Sequence, residues 1–139
     1  NEVERIHRLK TGALFASSAW IGGRVAEASP ATLEALDDFG MQVGLAFQAY
    51  DDLADRLASL ESVGKTVQAD TRKATMVALA GTDAAEARAD ALFEASRQCL
   101  ERIGLGDRRL AVFVSELRDK LKSRMHVEPA SSADSANAC

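Results

Sequence analysis

Cysteine is nearly missing from this chain: only Cys99 and Cys139 occur, the second of them the last residue. Two thiols so placed make neither a disulfide framework nor a zinc site, and they suit the reducing cytoplasm. Proline is equally scarce. Pro30 and Pro129 each close a segment and leave long stretches without a helix breaker. Basic excess is absent too, since the formal net charge is −4, and this removes any electrostatic footprint for nucleic acid. No apolar run approaches the length that crosses a bilayer, and the opening NEVERIHRLK is nothing like a signal peptide. That opening lies inside what reads as helix, with no cap or leader, as expected of a piece cut from a longer chain. Period-two alternation of apolar and polar residues, the mark of a half-buried strand, is also missing.

What is present is helical. The 139 residues are 47% hydrophobic and 27% charged, which reads as one globular domain, and with helix signals and no strand pattern the expected fold is all-α. Residues 2–28 read as a helix dense in small side chains: Ala13, Ala16, Ser17, Ser18, Ala19, Gly22, Gly23 and Ala26. Such a surface lets a neighbouring helix approach closely. Ser29 as N-cap and Pro30 in the first turn start a second helix, which runs to about residue 60. Residues 61–69 break the pattern as a loop, and a short helix is expected at 71–80, ended by Gly81. Asp83 is expected to cap a helix over 84–103 that Gly104 and Gly106 terminate, and Asp107 to begin the last, to residue 125. The domain is thus 1–125, with a small, polar tail at 126–139 expected to be disordered.

One stretch raises a chemical question. FQAYDDLADR, residues 47–56, holds Asp51, Asp52 and Asp55 with no Lys or Arg four residues before them. Like charges on one helix face repel, so the cluster asks for a cation or for solvent. At about 100° per residue, Leu45, Ala49, Leu53, Leu57 and Leu60 share one arc. Gly44, Gln48, Asp51, Asp52 and Asp55 share another, roughly a quarter to a third of the circle wide. Hard oxygen ligands on one face suit Mg²⁺, which keeps most of its waters and takes one or two carboxylates plus substrate phosphate oxygens. The bland alternative is a solvated acidic face. Against it stands an ordered series: Lys10-Thr11-Gly12 upstream, then the acidic stretch, then Gly64-Lys65-Thr66, Asp70 and Lys73-Ala74-Thr75. Lysines around a magnesium-carboxylate site are what a diphosphate requires, because ammonium groups neutralise the oxygens the metal does not bridge.

HRLKTGALF, GLAFQAYDDLAD, GKTVQAD and KATMVALAG together resemble the C-terminal part of the trans-prenyltransferases, the polyprenyl (farnesyl or geranylgeranyl) diphosphate synthases. The resemblance covers His7 to about Arg124. It implies an isoprenoid-synthase-type helical bundle whose N-terminal half is absent, and a Mg²⁺-dependent condensation of an allylic diphosphate with isopentenyl diphosphate. In that family the segment matching Asp51, Asp52 and Asp55 is the second aspartate-rich motif, which binds Mg²⁺ bridged to the allylic diphosphate. Lys10 and Thr11 match the KT pair, Gln48 the glutamine of FQ, and Lys65 and Lys73 the two later lysines. All five are implied to contact the allylic substrate, with Lys10, Lys65 and Lys73 neutralising the leaving group. A homo-oligomer, or pairing with the missing half, is implied as well.

The departures are specific. Gln68 stands where the family commonly has Gly, and Arg72 replaces the usual Gly before Lys73, where a non-Gly residue cannot readily take φ > 0. The first aspartate-rich motif and the elements that hold isopentenyl diphosphate are expected upstream of Asn1. Rival readings follow: a truncated non-catalytic remnant, a partner subunit of a full-length synthase, or a helical interaction module. Two look-alikes fall away. Asp38-Phe39-Gly40 lacks the glycine-rich loop and HRD segment of a kinase, and Ser59 occupies the first-glycine position a P-loop ending at Thr66 requires. His7 and His126 read as surface residues, and Phe15 and Trp20 as packing residues.

Overall fold

Ser29 begins the longest element of the fold. In the computed structural model, which describes residues 2–63 and 81–125 (backbone only for 60–63), its hydroxyl accepts the Thr32 N–H at 3.2 Å. Pro30 occupies the first helical position, where its missing N–H costs nothing. The helix so started runs Pro30–Val63 and is the third of five among the described residues: α1 Glu2–His7, α2 Ala13–Val25, α3 Pro30–Val63, α4 Thr82–Arg102 and α5 Arg109–Met125. Between α1 and α2 the chain makes a π-helical turn, Arg8–Gly12. No strand occurs among the described residues.

Several boundaries differ from the sequence reading, each for a local reason. The first helix ends at Val25, because Glu27 adopts φ 55° and turns the chain. There the Ala28 N–H donates to Gly23 O at 2.9 Å and the Glu27 N–H to Arg24 O at 3.1 Å, a Schellman ending with a glutamate where glycine usually stands. α4 ends the same way through Gly104 at φ 72°, with Leu105 N–H to Leu100 O at 2.9 Å. α3 continues through Val63, so the first three residues of the expected loop are helical. Asp83 is not the cap of α4. Gly81 holds that position, and Asp83 lies in the first turn, where its charge favours the helix dipole. Likewise α5 begins at Arg109 rather than Asp107. The expected helix at 71–80 and the tail lie outside the described residues.

α3 is the hub because it is apolar on two sides. Leu36, Phe39, Val43, Ala46, Tyr50 and Leu53, spaced by three and four, are buried with Ala85, Ala89, Phe93 and Leu100 of α4 and Ala111, Val114 and Leu121 of α5. Leu53 is 1% exposed and Leu100 is fully buried; truncating either to Ala costs about 2–5 kcal/mol. One polar strap crosses this region. The Tyr50 hydroxyl donates to Asp90 Oδ1 at 2.8 Å, and Lys122 Nζ donates to Asp90 Oδ2 at 2.7 Å, joining α3, α4 and α5. Lys122 also lies 3.5 Å from Glu86.

Candidate functional site

Two glycines bring the backbone of α3 onto the chain before it. A Cβ on Gly44 would stand 2.7 Å from Gly12 Cα, and one on Gly40 would stand 2.5 Å from Ala16 Cα. On α3 only residues without a side chain permit this approach, and Gly40 and Gly44 recur four apart there, opposite Ala16 and Gly12. Of the small-residue surface read in the sequence, Ala16 lies at this crossing and Gly23 against Leu33 and Leu36, while Ser17, Ser18, Gly22 and Ala26 are exposed. The product of the crossing is a run of polar contacts. Thr11 Oγ1 donates to Gln48 Oε1 at 2.9 Å, and Gln48 Nε2 donates to Asp52 Oδ1 at 3.2 Å. His7 Nε2 lies 3.2 Å from Asp52 Oδ2. The π turn is thus joined to the acidic face of α3 through Gln48 and Asp52.

The electrostatics follow from burial. The Asp52 side chain is 13% exposed and that of His7 is 9%. Burial pushes the Asp52 carboxyl up; the Gln48 amide and His7 oppose this, while Asp51 and Asp55 add to it, and the balance lies above the ordinary aspartate value. His7 Nε2 and Asp52 Oδ2 meet at ion-pair distance, and both Asp52 Oδ2 and the other ring nitrogen, His7 Nδ1, are buried with no hydrogen-bond partner. Such atoms carry a desolvation cost that a ligand or an adjustment of the pair relieves. Asp51 is half-buried and Asp55 exposed.

Of the residues singled out in the sequence, Thr11, Gln48 and Asp52 come together, with Lys10 exposed in the same turn. Lys65 and Lys73 lie outside the described residues, as do Gln68 and Arg72. Among the described residues no three His, Cys, Asp or Glu side chains converge to enclose a metal ion. The donors nevertheless fit an ion held on one side only. They are carboxylates and an amide, one of them with an unpartnered oxygen, and Mg²⁺ accepts such a set while retaining waters.

His7 corrects the sequence reading. It is 7% exposed, not a surface residue. Its signal was positional, four residues before Thr11 and so on the same side of a helical segment. Trp20 is a second correction: it is 42% exposed, with the Arg24 guanidinium 5.8 Å from its ring centroid. Phe15 does pack, its ring 5.9 Å from that of Phe47. Apart from the acidic face, Leu14, Phe15, Ser18, Ala19, Phe39, Leu110 and Phe113 line an apolar cavity of about 400 Å³.

An all-α isoprenoid-synthase-type bundle, with an acidic helix face joined to a lysine-threonine turn, is the class this architecture defines. The family model for polyprenyl synthetase matches residues 1–104, and the chain belongs to that family. It is 41% identical to farnesyl diphosphate synthase of Micrococcus luteus over 88 residues, covering 62% of this chain and 30% of that protein. It is 36% identical to farnesyl diphosphate synthase of Escherichia coli (strain K12) over 104 residues, 73% of this chain and 35% of the relative. A short chain isoprenyl diphosphate synthase of Methanothermobacter thermautotrophicus is 33% identical over 122 residues, 85% and 35% of the two chains. The chain spans about a third of the length of these curated relatives. No solved structure matches it significantly. No helix among the described residues is long and apolar enough to cross a membrane.

Proposed function

We propose that this chain contributes the diphosphate-binding wall of an isoprenyl diphosphate synthase, acting in the cytoplasm on an allylic diphosphate and isopentenyl diphosphate. The observation that carries the reading is the hydrogen-bonded run Thr11–Gln48–Asp52, which joins a lysine-bearing turn to an acidic helix face. In the proposed reaction the allylic carbon–oxygen bond ionises, the allylic cation alkylates the double bond of isopentenyl diphosphate, and loss of a proton completes the product. The barrier lies in separating a cation from a departing diphosphate, so groups that stabilise the diphosphate contribute most.

Lys10, Lys65 and Lys73 are assigned to that charge. Thr11 and Gln48 are assigned to orientation. The Thr11 hydroxyl proton is directed at Gln48 and one Gln48 N–H at Asp52, which leaves the second amide N–H of Gln48 for an acceptor oxygen. Mg²⁺, bound at the face of Asp51, Asp52 and Asp55, would neutralise further diphosphate charge. Exposed Leu9, Leu14, Ile21 and Val25 favour a homo-oligomer or pairing with a further part of such a synthase over an isolated monomer.

Calorimetric titration with geranyl diphosphate, with and without Mg²⁺, tests the reading. Binding that requires Mg²⁺ and disappears in Asp51→Ala/Asp55→Ala, with helicity unchanged by circular dichroism, is the expected result. Unimpaired binding by the double variant would refute the metal role. Binding without turnover when isopentenyl diphosphate is added, with no change in the rate of an added full-length synthase, would favour a non-catalytic remnant. Turnover in the mixture above that of the full-length synthase alone would favour a partner subunit.

A further inference from the structure

His7 is a buried polar ring that the proposed chemistry does not use. Its side chain is 9% exposed, and its Nε2 lies 3.2 Å from Asp52 Oδ2. Its other nitrogen has no hydrogen-bond partner, so burial of the ring is compensated at Asp52 alone. Two side chains on either side of Lys10 therefore meet the same helix one turn apart: His7 at Asp52, and Thr11 at Gln48. Between these two pins the backbone takes the π-helical form, an uncommon conformation that needs support from its surroundings.

Each Asp52 oxygen faces a side chain of the protein. Oδ1 accepts from Gln48, and Oδ2 is turned to His7 and away from solvent. Asp55 is exposed, Asp51 and Asp52 are both partly exposed, and of these three Asp52 is the one with an oxygen buried against His7. The three carboxylates of the motif are therefore not equivalent.

We propose that His7 is a positioning residue, locking Asp52 as the inner anchor that holds the Lys10–Thr11 turn against the acidic face, while Asp51 and Asp55 meet the cation. This rests on the diphosphate-site reading for its ligand, but the anchor itself exists without one. The arrangement parallels metal sites in which an outer partner fixes a group near the ion, and whose loss weakens binding about 10–100-fold.

The test has two arms on the full chain. In the metal-free arm, urea denaturation of His7→Leu, Asp52→Asn and the double variant forms a cycle. Losses that fail to add support the anchor, and additive losses overturn it. In the second arm, calorimetry measures Mg²⁺-dependent binding of inorganic pyrophosphate. His7→Leu is expected to weaken it about tenfold. His7→Gln, whose amide N–H replaces Nε2, should restore most of the affinity. Asp52→Asn should resemble His7→Leu, whereas Asp51→Asn should abolish binding. Equal binding by parent and His7→Leu, or failure of His7→Gln to rescue when circular dichroism shows it folded, overturns the positioning role. If the parent binds no pyrophosphate, the site reading and the positioning role both fail, and the metal-free cycle still decides whether His7 anchors Asp52.

Discussion

Gly44 lies against Gly12 with no room for a side chain: a Cβ there would stand 2.7 Å from Gly12 Cα and 3.0 Å from Thr11 O. These are backbone atoms, so no rotamer change relieves the overlap. Gly44→Ala should lower stability by about 1–3 kcal/mol and part Thr11 from Gln48. Gly22 is the control, since nothing stands within 4 Å of a Cβ built on it. It is internal to α2, so Gly22→Ala should stabilise by roughly 0.5–1 kcal/mol. Urea melts of the two variants, read beside Mg²⁺-dependent diphosphate titrations, check both signs; a tolerated alanine at position 44 contradicts the crossing.

Glu27 is expected to be a correctable strain. Its φ of 55° places a Cβ-bearing residue in the left-handed region at a Schellman ending. Glu27→Gly should raise stability by about 1 kcal/mol, because the left-handed conformation costs a side chain roughly 1–2 kcal/mol and glycine's extra unfolded-state entropy returns part of it. A thermal midpoint that falls instead would mean the glutamate side chain makes a compensating contact.

The Tyr50–Asp90–Lys122 strap should give stability an acid dependence. Burial pushes the Asp90 carboxyl up, but the hydrogen bonds from Lys122 and Tyr50 and the Lys122 charge outweigh it and hold it below the ordinary aspartate value. Burial first, and then Asp90, push the Tyr50 hydroxyl well above its usual range, so it stays a donor. A carboxylate whose folded pKa is depressed contributes fully above its unfolded value and loses that contribution as pH falls through the folded one. Both partners are about a third exposed, which keeps the contribution below about 1 kcal/mol. Urea midpoints between pH 6 and about pH 3 should fall less in Asp90→Asn than in the parent.

The lysines separate charge recognition from packing. Lys10→Ala, Lys65→Ala and Lys73→Ala should each weaken binding of an allylic diphosphate more than binding of the uncharged isoprenol. Arg72 beside Lys73 softens the loss there. Equal losses for both ligands would instead indicate damaged packing.

The 139-residue chain by itself is expected to give no prenyl transfer above background. Its sequence carries one aspartate-rich motif of this kind, and lost positioning of a second substrate forfeits some 7–11 kcal/mol of barrier reduction. Leu9 at 67%, Leu14 at 65% and Val25 at 80% exposure also predict concentration-dependent self-association, measurable by sedimentation. Turnover by the chain, its mass confirmed by mass spectrometry, would overturn the first expectation.

What could be read in the sequence was what is local or repeated. Ser29 and Pro30 announce a helix start within four residues, and the three-four spacing along α3 announces its buried stripe. The motif series singled out Thr11 and Gln48, which the fold joins to Asp52 by hydrogen bonds. What escaped depended on a second element. A helical wheel ranks Asp51, Asp52 and Asp55 alike, because azimuth does not say which carboxylate a crossing helix covers. His7 reads as a surface residue until the glycine crossing brings Asp52 beside it. The ending at Glu27 escaped because the expected signal was glycine, and α3 outran its pattern at residues 61–63, where the helix continues without an apolar stripe to mark it.

The crossing at Gly12–Gly44 and Ala16–Gly40 has a mechanical consequence. Backbone rests on backbone there, without side chains between them to cushion the contact. Packed interiors transmit strain, and a contact stripped of rotamers has little compliance left. The crossing therefore has little give, and the 2.9 Å reach from Thr11 to Gln48, which flanks it, is held at a distance that side-chain repacking cannot adjust.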